Sequence, residues 1–350
     1  MVKRFAFAVP GDLATPTGGY AYDRRIVAEL KQLGWTVDVI DLGDGFPFPD
    51  EKMRAAAKTQ LEKVPERRPI VIDGLALGVL PELAASLKGR NPLIALVHHP
   101  LALESGLSAA QAEQFRKSER AALASTSKVI VTSAPTARLL TADYDVPAER
   151  ITIARPGNDP VEPARGSNDG IVRLLSVGSL VPRKGYDVLL AALTMLADLR
   201  WHLTIAGDSE RDRATATAIR NDIARRGLGE RIALVGAVSH ERLATLHRAA
   251  DVFVLASRFE GYGMAYAEAI AYGLPVIGTS AGAIPETLPE DAAILVPPDD
   301  VAPLARALRR LIANEAERKR FAAAARAAAA RLPSWRESAA LFTSAVEAAT

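Results

Sequence analysis

The chain has 350 residues, of which 43 are Lys or Arg and 41 are Asp or Glu, and 49% of its residues are hydrophobic but only 5% aromatic. This length favours two domains, each large enough for its own core. The charges are spread evenly along both halves, so there is no basic stripe of the kind that binds nucleic acid. The absence of cysteine excludes disulfides and thiolate metal sites.

Neither a leader nor a membrane span is predicted. The first apolar run ends at Pro10, which is too short for a signal peptide, and no stretch approaches the roughly 18 apolar residues of a spanning helix. We therefore expect a cytoplasmic protein, with peripheral contact at the inner membrane face left open. Segment Leu107–Leu123 is helical and mixed in charge, which favours a solvated helix over one that lies on lipid.

Apolar strands alternate with helical segments in the first half of the chain, a pattern that predicts a parallel sheet. The predicted strands are Phe5–Val9, Thr36–Ile40, Ile70–Asp73, Leu93–His98 and Val129–Thr132. A loop with Gly18 and Gly19 leads into a helix from about Tyr20 to Leu33. Pro, Gly, Ser, Asn and Asp then cluster in Pro160–Gly170, which predicts an interdomain linker.

The same alternation restarts after this segment. The predicted strands are Arg173–Val177, Trp201–Ala206, Ile232–Val235 and Val252–Ala256, and the predicted helices are Tyr186–Ala197, Arg213–Arg226 and Glu241–Ala249. Residues 302–331 are Ala- and Arg-rich and predicted helical, and Trp335 begins a last helix. The fold class is therefore α/β, with two Rossmann-like lobes, and ligands are expected outside the carboxyl ends of the strands, in an interdomain cleft.

The most informative segment contains two acids eight residues apart. Glu260 precedes a Gly261–Tyr262–Gly263 turn, and Glu268 falls in the helix that this turn opens and Gly273 ends. A helix N-terminus offers unbonded backbone N–H groups and the positive end of the helix dipole, which together bind anions. A ligand with phosphate at one end and hydroxyls at the other fits this arrangement, and a nucleotide sugar is such a ligand.

The chain resembles the family 4 retaining glycosyltransferases of GT-B fold. The resemblance rests on Val177–Gly185, Ile205–Asp208, Val235–Gly236 and the segment from Glu260 to Glu286, with Gly18–Gly19 and His98–His99 matching less specifically. It implies an acceptor-binding lobe of residues 1–165, to which a C-terminal helix of residues 335–350 crosses back. It also implies a donor-binding lobe of residues 170–332.

By this resemblance, Lys184 neutralises the diphosphate of the donor, Glu268 binds the ribose hydroxyls and Glu260 lies near the sugar ring. Where the family usually carries a second arginine, this chain has Ser179, which leaves Arg183 as the candidate second cation. The full set of donor-binding residues that the resemblance implies is Arg183, Lys184, Gly207, Val235, Glu260, Gly261, Tyr262, Gly263, Met264 and Glu268.

On the acceptor side, the resemblance implies that Gly18 and Gly19 form a loop that approaches the substrate closely. A histidine after the fourth strand contacts the transferred sugar in the family. Either His98 or His99 fits, with His99 favoured because it is nearer the loop. The implied catalytic residues are thus His98, His99, Glu260 and Lys184.

The resemblance implies transfer of a hexose from a UDP- or GDP-sugar to a hydroxyl of a glycan, lipid or small molecule, with retention at the anomeric carbon. No Asp-x-Asp clamp stands out, so a metal-independent site without a cofactor is expected. Two other classes of protein are alternatives to this enzyme. A catalytically weakened nucleotide-sugar-binding protein has Ser179 in its favour, whereas an oxidoreductase lacks the Gly-x-Gly-x-x-Gly turn after the first strand.

Overall fold

A computed structural model describes residues 3–15, 17–104 and 106–350 of the chain. They form two compact units, Met1–Gly157 with Pro333–Thr350, and Asn158–Leu332. The division falls earlier than the predicted linker, because part of that segment is bonded into the second unit. The amides of Ala164 and Arg165 donate to carbonyl oxygens of that unit, and Ser167 bonds the Asp251 carboxylate.

The first unit is built on a sheet of six parallel strands in the order β2-β1-β3-β4-β5-β6. The strands are β1 (Arg4–Val9), β2 (Thr36–Asp41), β3 (Ile70–Asp73), β4 (Leu93–Val97), β5 (Lys128–Val131) and β6 (Ile151–Ile153). Its helices up to the division are α1 (Gly18–Gln32), α2 (Glu51–Glu62), α3 (Gly74–Leu77), α4 (Pro81–Leu87), α5 (Ala109–Leu123) and α6 (Ala134–Asp143).

Two features of this unit position its candidate residues. The chain passes from β1 to β2 on one side and then returns to place β3 on the other, so the strand order reverses between β1 and β3, where α/β sheets form their binding crevice. Strand β4 ends at Val97 rather than at the predicted His98. Both histidines therefore lie beyond the sheet, and the alternation of side chains along a strand does not apply to them.

The second unit has its own parallel sheet, in the order β12-β11-β10-β7-β8-β9. Its strands are β7 (Val172–Val177), β8 (Trp201–Ala206), β9 (Ile232–Gly236), β10 (Val252–Val254), β11 (Val276–Thr279) and β12 (Ala293–Val296). Its helices are α7 (Tyr186–Thr194), α8 (Arg213–Arg225), α9 (His240–Ala249), α10 (Met264–Ala271), α11 (Ile284–Thr287), α12 (Val301–Ala313) and α13 (Glu315–Ala329). The order reverses between β7 and β10.

The segment predicted as helical over residues 302–331 consists of two helices. Asn314 separates them and caps α13, because its side chain accepts a hydrogen bond of 3.0 Å from the Glu317 amide. An asparagine competes with the helix for backbone hydrogen bonds and therefore favours such a cap over a helix interior.

The last helix, α14 (Trp335–Glu347), belongs to the first unit. Its Phe342 ring is fully buried, with ring centroids 6.1 Å from Phe5 and 6.3 Å from Phe7 on β1. A Cβ on Gly157 would lie 2.2 Å from the Trp335 amide nitrogen, so only glycine allows this approach. Within the described residues, no helix is both long and apolar enough to cross a membrane.

Candidate functional site

The strand reversal of the second unit carries a buried cluster of charges around Glu260. Lys184 Nζ donates to Oε1 of Glu260 at 2.6 Å, and Arg183 Nη1 donates to Oε2 at 3.0 Å. The Ser257 hydroxyl also donates to Oε1, at 2.7 Å. The three predicted residues Arg183, Lys184 and Glu260 are thus brought together, and each carboxylate oxygen has at least one donor.

The cluster holds Glu260 ionised. Burial alone would raise the pKa of Glu260, but the charges of Lys184 and Arg183 and the hydrogen bonds from Lys184 and Ser257 lower it to about 2. Burial lowers the pKa of Lys184, and its ion pair with Glu260 opposes that effect. A buried carboxylate with two cationic partners is a stable counter-ion, and at neutral pH it has no proton to donate.

The turn that carries the two cations is fixed by close backbone contacts. A 3-10 turn at Pro182–Lys184 ends at Gly185, whose φ is +65°, and a Cβ there would lie 2.0 Å from the Ala256 carbonyl oxygen. The Arg258 amide donates to the Arg183 carbonyl at 2.8 Å. The Arg258 guanidinium also bridges Asp187 and Asp299, each at 2.7 Å. The cations are therefore held on a rigid support.

Helix α10 begins beside this cluster without a side-chain cap. Its N-cap residue is Gly263, with φ at +95°, so it has no side chain to bond the first amides of the helix. The carbonyl of Glu260 accepts from the Ala283 amide at 2.9 Å, which ties the loop before the helix to the next one. Tyr262 is buried and Met264 is the first helical residue, so the start of α10 has no side-chain cap. Helix N-termini in general favour anions.

Glu268 lies one turn into α10 and is partly buried. Burial, together with the charge of Asp159, raises its pKa to about 7. Among the described residues there is no hydrogen bond to its carboxylate, and it does not share the partners of Glu260. A carboxylate in this state gains most from a ligand that supplies hydrogen-bond donors, such as a vicinal diol.

Gly207 and Val235 lie at the carboxyl ends of the neighbouring strands. The Gly207 amide donates to the Gly236 carbonyl at 2.9 Å, and a Cβ on Gly207 would lie 1.9 Å from the Gly178 carbonyl oxygen. Glycine is therefore required where these loops meet, next to Ser179. Ser179 itself brings no cation to the edge of the sheet.

The first unit holds a second cluster at its own strand reversal. His98 Nε2 lies 3.2 Å from Oδ1 of Asp23 on α1 and 3.4 Å from Oδ2 of Asp73 at the end of β3. In the part of the chain that the structure describes, these three side chains form the group of acids and histidines whose ligating atoms all lie within 4.8 Å. The contacts are those of a hydrogen-bonded ion cluster, and we assign no metal to it.

The other predicted residues of the first unit lie around this cluster. Gly19 is in the first turn of α1, and a Cβ there would meet the His98 ring at 3.3 Å. Gly18 is the first residue of the same helix, and an added Cβ there would meet no atom within 4 Å. His99 is turned to a different partner, since its Nε2 lies 2.6 Å from Oε1 of Glu104. The two histidines therefore have separate surroundings.

Three residues of these clusters were not predicted from the sequence. Asp23 lies on the buried face of α1, at helical spacing from Ile26 and Leu30. An acid on such an apolar face indicates that its carboxylate has a partner. Asp73 ends a buried strand, which is another such signal. Ser257 had none, because its bond to Glu260 depends on the local path of the loop.

Three comparisons with known proteins bear on this arrangement. The family model described as "Glycosyl transferases group 1" matches residues 161–328. MMP alpha-(1->4)-mannosyltransferase from Mycolicibacterium hassiacum is 30% identical over 314 residues, which are 85% of this chain and 74% of that protein. Sucrose-phosphate synthase from Thermosynechococcus elongatus superimposes with a TM-score of 0.80 at 22% identity over 97% of both chains. Anabaena HepE in complex with UDP-glucose gives 0.74 at 18% identity, over 97% of this chain and 99% of the other.

The chain belongs to the glycosyl transferases group 1, a family of transferase enzymes, and the structural likeness identifies its fold as GT-B. Other curated relatives are matched over only part of their length. The chain spans between 36% and 58% of each of these proteins.

Proposed function

We propose that this protein is a retaining glycosyltransferase that moves a hexose from a nucleoside diphosphate sugar to an acceptor hydroxyl. The observation that carries the proposal is the pairing of Lys184 and Arg183 with Glu260 at the strand reversal of the second sheet, beside the uncapped start of α10. Two cations and a helix N-terminus at one sheet edge suit a diphosphate.

The chemistry needs charge stabilisation at the leaving group. When the bond from the anomeric carbon to the phosphate oxygen breaks, the diphosphate gains negative charge, and fixed cations lower the barrier. We assign that task to Lys184 with Arg183, which stands in for the arginine that Ser179 replaces. Glu260 keeps both cations in place before the donor arrives and accepts from the sugar hydroxyls afterwards.

We assign the nucleoside to the part of α10 that carries Glu268, away from the cluster around Glu260. The Glu268 carboxylate accepts from the two ribose hydroxyls, and Gly207 and Val235 line the base by resemblance. HepE was solved in complex with UDP-glucose, which supports a UDP-sugar as the first donor to try, with GDP-sugars kept as the alternative. The proposed site uses neither a metal nor a cofactor.

The acceptor is assigned to the first unit, at Gly18, Gly19 and the histidines. Its chemical class stays open among glycans, lipids and small molecules, although the name of sucrose-phosphate synthase makes a phosphorylated sugar the first choice to test. A cytoplasmic location, with peripheral membrane contact, remains a prediction from the sequence.

We propose that substitution at the anomeric carbon takes place on one face of the sugar, which retains the configuration. The bond to the acceptor oxygen forms on the side from which the diphosphate leaves, and the acceptor proton passes to the departing phosphate oxygen. The state of Glu260 supports this route, because its two oxygens already accept three hydrogen bonds and its pKa of about 2 makes it a weak nucleophile.

The test is a panel of UDP- and GDP-hexoses with glycan and sugar-phosphate acceptors. We expect nucleoside diphosphate release that depends on acceptor, and a product whose anomeric proton coupling matches the α-configured donor. A β-linked product would contradict retention. Tight nucleotide binding without turnover on any pair would favour the non-catalytic binding protein that Ser179 suggested.

A further inference from the structure

The cluster at the strand reversal of the first unit has an unusual balance of charge. Asp23 is fully buried and Asp73 is 3% exposed, so two carboxylates are withdrawn from water side by side. The cost of burying such charges is large unless a cation is hydrogen-bonded to them. The His98 ring lies within 3.4 Å of both carboxylates. Arg24, the other nearby cation, bonds the carbonyls of Leu13 and Thr15.

The position of the ring is fixed by its neighbours. The Tyr22 ring meets it at an interplanar angle of 81°, with centroids 5.4 Å apart, and Gly19 lies so close that an added Cβ would be 3.3 Å from Cδ2 of the ring. The His98 carbonyl accepts from the Thr132 hydroxyl at 3.3 Å, which holds the backbone. The ring therefore keeps Nε2 on the carboxylates, and Nδ1 is its remaining polar atom.

We propose that Asp23 and Asp73 are positioning residues that keep His98 as an imidazolium, with Nε2–H on the two carboxylates and Nδ1–H left to donate to an oxygen of the bound sugar substrate. Only the ligand of Nδ1, a sugar substrate, rests on the proposed function. The clamp itself is a property of the free protein. A His98 held in this state acts as a fixed hydrogen-bond donor and cannot act as a general base.

The electrostatics of the cluster support the clamp. Burial alone would lower the pKa of His98, but the charges and hydrogen bonds of Asp23 and Asp73 raise it to about 10. Burial and the charge of Asp73 raise the pKa of Asp23 to about 6, against the opposing effects of His98 and Arg24. Tyr22, the other titratable group that faces the ring, stays neutral because burial raises its pKa well above the usual value.

The direct test is NMR of protein labelled with ¹⁵N-histidine, in which His98 is assigned by its loss in H98Q and His247, on α9 of the second unit, serves as an internal control. In the wild-type protein we expect the imidazolium signature at Nδ1 and Nε2 of His98 at about pH 8. In Asp73→Asn the titration midpoint of His98 should fall by on the order of 1–3 pH units, because one opposing charge is lost. The His247 signals should not change.

Two results would overturn the clamp. One is a neutral His98 ring in the wild-type protein at pH 8, a measurement that requires no variant to fold. The other is an unchanged His98 midpoint in both Asp73→Asn and Asp23→Asn, with native circular dichroism. Repeating the wild-type spectrum with EDTA and then Zn²⁺ tests whether the cluster binds a metal ion. A His98 signal that changes on chelation would contradict a cluster held together by the imidazolium proton.

A turnover measurement then separates the clamp from the proposed function. If the protein transfers sugar, its kcat/KM should fall at high pH as His98 loses its proton, and Asp73→Asn should move that limb to lower pH by the same shift as the NMR midpoint. An unmoved limb would contradict the assigned donor role. If no donor and acceptor pair turns over, the proposed function fails while the NMR result still decides the clamp.

Discussion

At the residue scale, Glu260 shows what a sequence motif leaves out. The motif placed an acid before a Gly-x-Gly turn and, by resemblance, near the sugar. The structure adds that its carboxylate is the shared partner of Lys184, Arg183 and Ser257. Two of these partners are separated from it by 76 and 77 residues, and the sequence carries no record of which side chains will meet over such a distance.

The raised pKa of Glu268 makes a testable prediction about pH. Its pKa lies above the unfolded value, at about 7, because of burial and Asp159. Ribose hydroxyls that donate to it favour the ionised form, so binding should release a proton below pH 7 and UDP affinity should rise as the pH increases through about 7. Calorimetric titrations from about pH 5.5 to 8.5 measure this dependence.

The matched variants for that prediction are Glu268→Gln, which cannot ionise, and Glu290→Gln, which changes an exposed acid of the same unit. The first should flatten the pH dependence of UDP affinity and the second should leave it intact. If wild-type affinity is constant across pH 7, or if Glu268→Gln keeps the wild-type slope, the ribose role of Glu268 is wrong.

At the element scale, the sequence predicts the presence and order of strands and helices better than it predicts the residues at which they begin and end. Continuous apolar runs such as Leu93–Val97 are typical of buried parallel strands, and the predicted strands agree with the observed ones to within two residues. Strands β6 and β12 were not predicted. The end of β4 before His98 and the break at Asn314 were missed because each depends on a local cap or turn rather than on periodicity. The division between the units falls just before the predicted linker, and polar residues of that segment such as Ser167 are hydrogen-bonded to the second unit.

Helix α14 gives a prediction at this scale. Phe342 is fully buried against Phe5 and Phe7, whereas its neighbour Leu341 is 47% exposed. Phe342→Ala should destabilise the first unit by about 3–5 kcal/mol through lost burial and a cavity. Leu341→Ala should change stability by less than about 0.5 kcal/mol. Urea unfolding followed by the fluorescence of Trp335 and Trp35 measures both.

The comparison of the two variants is the control, since both shorten a side chain on the same helix. Equal destabilisation by both would mean that the loss does not come from the burial of Phe342, since alanine raises helix propensity at either position. No effect of Phe342→Ala would mean that α14 does not pack on β1.

At the scale of the whole molecule, each unit is a parallel α/β sheet whose candidate residues lie at the reversal of strand order. In the first unit these are Asp23, Asp73 and His98, and in the second they are Lys184 and Glu260. The class of fold could be predicted from alternating strands and helices. The strand orders could not, because nothing local to β7 states that β8 and β10 will be its neighbours.

The central claim is that Lys184 binds the diphosphate of a nucleotide-sugar donor, and a calorimetric titration with UDP, then GDP, tests it most directly. Lys184→Gln keeps a hydrogen-bond donor for Glu260 but removes the charge, and Lys319→Gln removes an exposed charge of the same unit. Loss of a charge-assisted bond worth about 1.5–3 kcal/mol should weaken binding about 10- to 150-fold in Lys184→Gln alone. Wild-type affinity in Lys184→Gln, or no binding of either nucleotide to the wild-type protein, would contradict the account.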